Sequence, residues 1–491
     1  MIALVHGLLF DGTGAPARSA DLLLEGERIL AIGSAPQEVP RIDCAGLAIA
    51  PGFIDLHSHS DLQALEDRQE KRKQGVTTEV VGNCGFSPFP HEDHLKDLQE
   101  FAAPILGRGG GWGWPRASDY LAALRQSPGS VRAIPLVGHG SLRVAVAGLR
   151  QGPLSSGELS RMEGLLEEAL DEGCAGFSTG LMYAPGSSAP REELERLCAA
   201  VARKGKLHST HMRSYASGLP EAVGEQLELA QRTGCRLQIS HLQAAGRGNW
   251  DRQRPALDRI EAASQQGIDV EFDIYPYQCG STVLTQWLPQ WSLEGGTAAL
   301  LRRLGDETRR RLIREEMERS RAQEWSDLVV SSVAGKADAG WIGRALPDAD
   351  TALDLLREAD GAVNVISFNQ SESNLRELLT HPLCSVVSDG FYVTGKAHPR
   401  LYGTFPELLG EIVRERRWMS LAEAIHKITA RPASRLGWTD RGRLGPGQVA
   451  DLTVFDPALI RSRSSYDHPE EDPEGIRLIL QNGIITYDGR R

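Results

Sequence analysis

Two hydrophobic patterns alternate through the middle of the chain. Short apolar runs recur between longer stretches in which apolar positions return every three or four residues. The short runs are GFIDLH (52–57), TTEVVGNC (77–84), RAIPLVGHG (132–140), CAGFSTG (174–180), KLHSTHM (206–212), RLQISHL (236–242), DVEFDIYP (269–276) and CSVVSD (384–389). Each has the length of a strand, and helical stretches lie between them. The stretches 159–172, 191–204, 219–233 and 254–266 carry the helical period. Strands alternating with helices predict βαβ units and a parallel sheet, and eight such strands predict a closed (β/α)8 TIM barrel. A further apolar run, AVNVISFN (362–369), has no place in a count of eight.

The two ends of the chain read differently. IALVHGLLFDGTG, ADLLLEGERILAIG and RIDCAGLAIAPG near the start, and GRLGPGQVADLTVFD and IRLILQNGIITYDG near the end, are short β-like runs closed by turn residues. Chain ends often lie close together. One small β-sandwich domain built from both termini is therefore expected, from 1–53 and 431–491, around a barrel at 54–430. Residues 281–340 break the barrel rhythm with TAALLRRLGDETRRRLIREEMERSRAQEW, too long for an ordinary connection. A mostly helical insertion over the barrel mouth is expected there, with its charges on a solvated face.

Composition narrows the function classes. The 491 residues carry a formal net charge of −11, which argues against a nucleic-acid partner. No run of 18 apolar residues occurs, so no membrane span is expected. The start, MIALVHGLLFDGTGAP, lacks a basic region and a cleavage site and reads as mature sequence. The seven cysteines are scattered and form no CxxC pair. That pattern fits a reducing cytoplasm better than a disulfide framework.

The chemistry sits at the C-terminal ends of the predicted strands. The first ends in His57 and His59, spaced so that a strand would aim both at one spot. The second ends in Cys84, the third in His139, the fifth in His211, the sixth in His241 and the eighth in Asp389. Of thirteen histidines, five end barrel strands, on the face where such barrels keep their active sites. Imidazole, thiolate and carboxylate together suit a zinc-type divalent ion, which acidifies water and polarises carbonyl groups. A buried carboxylate such as Asp389 suits the proton transfers.

PGFIDLHSHSD, the single histidines on strands five and six and the aspartate on strand eight resemble the amidohydrolase superfamily. VVGNCGFSP, GFSTGLMYAPG, THMRSY, ISHLQ, DIYPY and SDG…HPR are similar, more specifically, to the N-acyl-D-amino-acid deacylases, or D-aminoacylases. The resemblance runs over nearly the whole chain. It implies zinc-dependent hydrolysis of the amide bond of N-acyl-D-amino acids, small molecules, to a carboxylate and a D-amino acid. It implies one tight Zn2+ on Cys84, His211 and His241, with the cysteine in the bridging place. It implies a second, weak metal site involving His57, His59 and Asp389, and gives Asp389 the acid/base role.

The same resemblance makes Arg400 a binder of the substrate α-carboxylate, a role that guanidinium geometry suits. Tyr183 and Tyr275 match the family's hydroxyl donors, although Tyr277 stands on the same alternation as Tyr275. Gln243 departs from the lysine common in the family, so a neutral amide replaces a charged contact. His139 has no ligand role in the family and reads as supporting structure. No Arg or Lys lies between Gly280 and Glu294, which favours substrates with hydrophobic or neutral side chains. The alternative is a cyclic-amide hydrolase of the dihydroorotase or hydantoinase type. Those enzymes usually carry a bridging lysine on the fourth strand, where this chain has GFSTGL.

Overall fold

A computed structural model of the chain describes residues 1–107, 109, 111–127 and 131–489. Eight parallel strands form its central sheet: β1 (Phe53–Asp55), β2 (Val76–Val81), β3 (Arg132–Gly138), β4 (Gly176–Gly180), β5 (Leu207–His211), β6 (Arg236–Ile239), β7 (Val270–Ile274) and β8 (Cys384–Val386). They neighbour one another in that order. All eight apolar runs are therefore barrel strands. β2 and β4 are buried along their whole length, as both faces of a barrel strand must be.

The barrel closes where β8 returns to β1. Asp389 N–H donates to the His57 carbonyl at 2.8 Å, and His59 N–H donates to the Gly390 carbonyl at 2.9 Å. Four helices cover successive crossovers: α1 (Ser156–Glu172), α2 (Arg191–Arg203), α3 (Leu219–Thr233) and α4 (Gln253–Gln265). α1 starts from a capping box in which Ser155 and Glu158 satisfy each other's backbone N–H.

The termini build two further sheets. One joins Arg28–Gly33, Asp21–Glu25, Ile2–Val5 and Arg41–Asp43. In the other, Leu452–Phe455 from the C-terminal end pairs antiparallel with Ala48–Pro51 from the N-terminal end. Leu4, Leu22, Ile49, Leu452 and Leu480 share one core there, so the small β-domain draws on both ends of the chain.

The insertion carries a sheet as well as the helices expected over 281–340. Cys279–Val283 and Leu328–Val333 flank Val363–Phe368 in an antiparallel three-stranded sheet, and the helices Gly296–Gly305, Glu307–Ser320 and Ala349–Glu358 pack with it. The surplus run AVNVISFN is the central strand of that sheet. Leu284, Leu300, Ile313, Val330, Leu353 and Val365 give the insertion its own core. No helix of the described residues is long and apolar enough to cross a membrane.

Candidate metal centre and active site

The seam between β8 and β1 brings the strand-end side chains together. His57 and His59 stand just past β1, and their nearest ring nitrogens lie 3.4 and 3.2 Å from Asp389 Oδ1. Cys84 follows β2; its Sγ lies 3.3 Å from His57 Nε2 and 3.5 Å from His241 Nε2. His211 Nδ1 lies 3.1 Å from His241 Nε2. All six residues are buried. The donors group around Cys84 with His57 and His241, and around Asp389 with His57 and His59. His211 meets His241 alone of that group: among the described residues it is His57, not His211, that shares a three-donor cluster with Cys84 and His241.

The backbone strains to make this arrangement. Cys84, His241 and Asp389 sit at φ of 54°, 34° and 48°, in the left-handed region that side chains other than glycine rarely adopt. A Cβ at Gly180 would collide with the Cys84 carbonyl oxygen, so only glycine lets β4 pass the cysteine turn.

These residues fit a zinc-type cation. Zinc bonds of about 2.3 Å to sulfur and about 2.0–2.1 Å to nitrogen put neighbouring donors about 3.3–3.8 Å apart, close to the spacings here. The facing donors Cys84 Sγ, His57 Nε2, His211 Nδ1 and His241 Nε2 meet one another, an arrangement that a shared cation accounts for. Burial, reinforced by neighbouring imidazoles, holds His211 well below the ordinary histidine range, and burial takes His241 down to about 4. Both rings are thus neutral donors near neutrality. Burial raises the Cys84 thiol, with His57 opposing it.

Asp273 is a functional residue that the sequence reading missed. Its Oδ1 lies 3.3 Å from His57 Nδ1 and accepts the His241 backbone N–H at 2.8 Å. Its Oδ2 accepts from Gln238 at 2.9 Å. One carboxylate therefore aims two of the metal-facing histidines. The signal was a carboxylate between Phe272 and Ile274 in β7, where burial demands a partner. Lys71 ties the end of β1 to the segment after β8. Its Nζ lies 2.6 Å from Asp55 Oδ2, and Ser388 hydrogen-bonds the same carboxylate.

A cavity of about 330 Å³ opens above these donors. Tyr183, Gln243, Tyr275 and Arg400 all line it. Tyr275 O–H donates to Gln243 Oε1 at 3.3 Å, while Tyr277 does not line the cavity. Arg400 is buried, with its guanidinium 4.5 Å from the Tyr275 ring centre and Nη1 2.9 Å from Asp389 Oδ2. His139 lies elsewhere: its Nε2 is 2.7 Å from Glu193, which also pairs with Arg143. The insertion supplies much of the outer wall. Among its residues is Arg321, which the sequence reading of 280–294 did not reach. Its guanidinium pairs with Glu318 and Glu324 at 3.5 and 2.6 Å.

Comparison with known proteins agrees with this geometry. The model of the amidohydrolase family matches residues 41–487. The chain is 35% identical to the N-acyl-D-glutamate deacylase of Alcaligenes xylosoxydans xylosoxydans, over 98% of this chain and 92% of that protein. It is 35% identical to the D-aminoacylase of the same organism, over 99% of this chain and 94% of that protein. The crystal structure of N-acyl-D-glutamate deacylase from Bordetella bronchiseptica, complexed with zinc and a phosphonate inhibitor, superposes with a TM-score of 0.84 at 34% identity, covering 99% of this chain and 96% of that one. The chain belongs to the amidohydrolase family, in its N-acyl-D-amino-acid deacylase (D-aminoacylase) branch, and is an enzyme of that branch.

Proposed function

We propose that the protein hydrolyses the linear amide bond of N-acyl-D-amino acids with hydrophobic or neutral side chains, releasing a carboxylate and a D-amino acid. The observation that carries this reading is one mouth holding both a soft-plus-imidazole donor set and, against the same aspartate, a buried arginine. Cys84, His211 and His241 would hold the tight Zn2+, and His57, His59 and Asp389 would line the weaker site. The bound ion supplies Lewis acidity to the acyl carbonyl and to the attacking water.

The chain's own groups do the rest. Asp389 Oδ1 takes the proton of the attacking water and delivers it to the departing amide nitrogen. Burial pushes this carboxyl up, but Arg400, His57 and His59 outweigh burial and hold it well below the usual range. It is therefore ionised and ready to accept. Arg400 binds the substrate α-carboxylate, sharing its guanidinium between that group and Asp389 Oδ2. Burial raises the phenols of Tyr183 and Tyr275, so both stay protonated as donors to the substrate. Gln243 adds an uncharged amide contact.

Side-chain preference follows from the wall. Phe86, Ile105, Met182, Trp287 and Leu288 give it an apolar surface, and the one insertion guanidinium facing it, Arg321, is balanced by two glutamates. Hydrolysis of a panel of N-acetyl D- and L-amino acids tests the proposal. The expected result is turnover of the D-leucine and D-methionine derivatives above the D-glutamate derivative, with the L series inert. Turnover confined to L-substrates, or to cyclic ureides, overturns it.

A further inference from the structure

A second cluster of soft metal ligands lies outside the substrate cavity. β5 alternates its side chains: Ser209 meets Asn83 and Ser240 inside the barrel, whereas His208 faces the helix layer. On that side His208 Nδ1 stands 3.5 Å from Cys198 Sγ, on α2, and 4.0 Å from Cys235 Sγ, just before β6. The three donor atoms all lie within 4.8 Å of one another, and the three residues are buried. None of them lines the cavity at the mouth.

The far side of the ring fixes what the near side offers. His208 Nε2 lies 3.2 Å from Thr179 Oγ1, and that hydroxyl donates its own proton to Thr210 Oγ1 at 2.8 Å. The Thr179 oxygen is thus an acceptor, so the ring carries its proton on Nε2. Nδ1 is left with a free lone pair between the two sulfurs. A histidine that donates its outer N–H to a fixed acceptor is the arrangement found behind metal-bound imidazoles. Phe177 stacks on the same ring, with centroids 5.6 Å apart, and resists its rotation.

Charge agrees with this, and so does the 3.5 Å from His208 to Cys198, while Cys235, at 4.0 Å, would draw in by about half an ångström on binding. Tetrahedral zinc places a sulfur and a nitrogen donor about 3.5 Å apart and two sulfurs about 3.8 Å apart. Two thiolates and a neutral imidazole balance a divalent cation, so the occupied site brings no net charge into the core.

We infer that Cys198, His208 and Cys235 form a second metal site, for a thiophilic d10 divalent cation of the zinc class, which clamps α2 to the barrel wall between β5 and β6. Two sulfur–metal bonds and one nitrogen–metal bond form as any remaining thiol protons leave to solvent. Nothing is oxidised or reduced. His208 shares β5 with His211, so the clamp stiffens the strand that carries a residue of the mouth.

The test uses full-length Cys84→Ala protein, which lacks the only thiol at the mouth. Produced with Cd2+ in the medium, it is expected to retain a near-ultraviolet sulfur-to-cadmium charge-transfer band. Adding Cys198→Ser and Cys235→Ser is expected to abolish that band while far-ultraviolet circular dichroism is unchanged. Should the triple variant not fold, zinc-edge X-ray absorption of zinc-loaded Cys84→Ala protein gives the answer alone. Sulfur neighbours at about 2.3 Å support the site, and a shell of nitrogen and oxygen only overturns it. Absence of the cadmium band from Cys84→Ala protein, or its survival in a folded triple variant, also overturns it.

Discussion

Arg400 Nη1 stands 2.9 Å from Asp389 Oδ2, at the floor of the cavity and almost out of solvent. The guanidinium lowers the carboxyl's proton affinity, and the proposed function gives it the substrate carboxylate as well. Replacing it with glutamine should show both effects. KM for N-acyl-D-amino acids is expected to rise by roughly 10- to 100-fold, the cost of a lost charge-assisted contact. Because Arg400 is what pulls Asp389 down against burial, the acidic limb of kcat/KM is expected to move to higher pH. A pH–rate profile of Arg400→Gln with limb and KM unchanged would remove Arg400 from the site.

Asp389→Asn separates proton transfer from metal binding. Asparagine keeps the size of the side chain and loses its basicity. Turnover is expected to fall by roughly 10²–10⁴ or more. Zinc measured by elemental analysis should stay with the protein, because Cys84, His211 and His241 remain. Near-wild-type activity in this variant would refute the assigned role.

The two metal sites should also differ in what they lose. Cys84 Sγ touches the His57 and His241 nitrogens, whereas His59 reaches only toward Asp389 among the donors. Cys84→Ala is expected to lose the zinc of the mouth on dialysis and keep only what Cys198, His208 and Cys235 hold, and His59→Ala to retain the tight equivalent of the mouth. The reverse order would exchange the two sites.

Barrel and mouth were legible for one physical reason. A strand end in a barrel is buried, so histidines and an aspartate that recur at the ends of the strand runs, as His57, His241 and Asp389 do, mark the mouth. PGFIDLHSHSD announced its pair of histidines in that way, although β1 itself stops at Asp55. The insertion was illegible because its three strands come from segments far apart, and the last in sequence, Val363–Phe368, lies in the middle. Between them the arginine- and glutamate-rich helices dominate the pattern. Arg321 was missed on the same account: it reaches the cavity only because the insertion folds back over the mouth. Asp273 sat in plain view in DIYPY, but its tyrosine was read and its buried carboxylate was not.

Asp273 supports a prediction of its own. It touches no cavity-lining atom of the substrate groups, yet it holds the His57 ring and the His241 backbone. Asp273→Asn should therefore weaken zinc binding by roughly 10- to 100-fold, the usual effect of removing a carboxylate behind a metal-facing histidine. Competition with a chelator measures this. Saturating zinc should restore much of the activity, which separates it from Asp389→Asn.

Glu407 yields a stability prediction. It ends the helix Arg400–Glu407 that starts at the substrate arginine. Burial, and then the Glu411 carboxylate, raise its carboxyl to about 7, with Arg416 opposing. The unfolded chain has the ordinary value of 4.5. A carboxyl whose folded value is raised favours folding while it is protonated. Its contribution is complete below about pH 4.5 and is lost as pH rises through about 7. Glu407→Gln mimics the protonated form at every pH. The variant should match the wild type near pH 4.5 and exceed it above pH 7, by on the order of 1–3 kcal/mol after allowing for its partial exposure. Urea unfolding at pH 5 and pH 8.5 reads the difference directly. Equal stability at both values would mean that the Glu407 carboxylate is solvated, and a loss at pH 8.5 would mean that it is held by a cation.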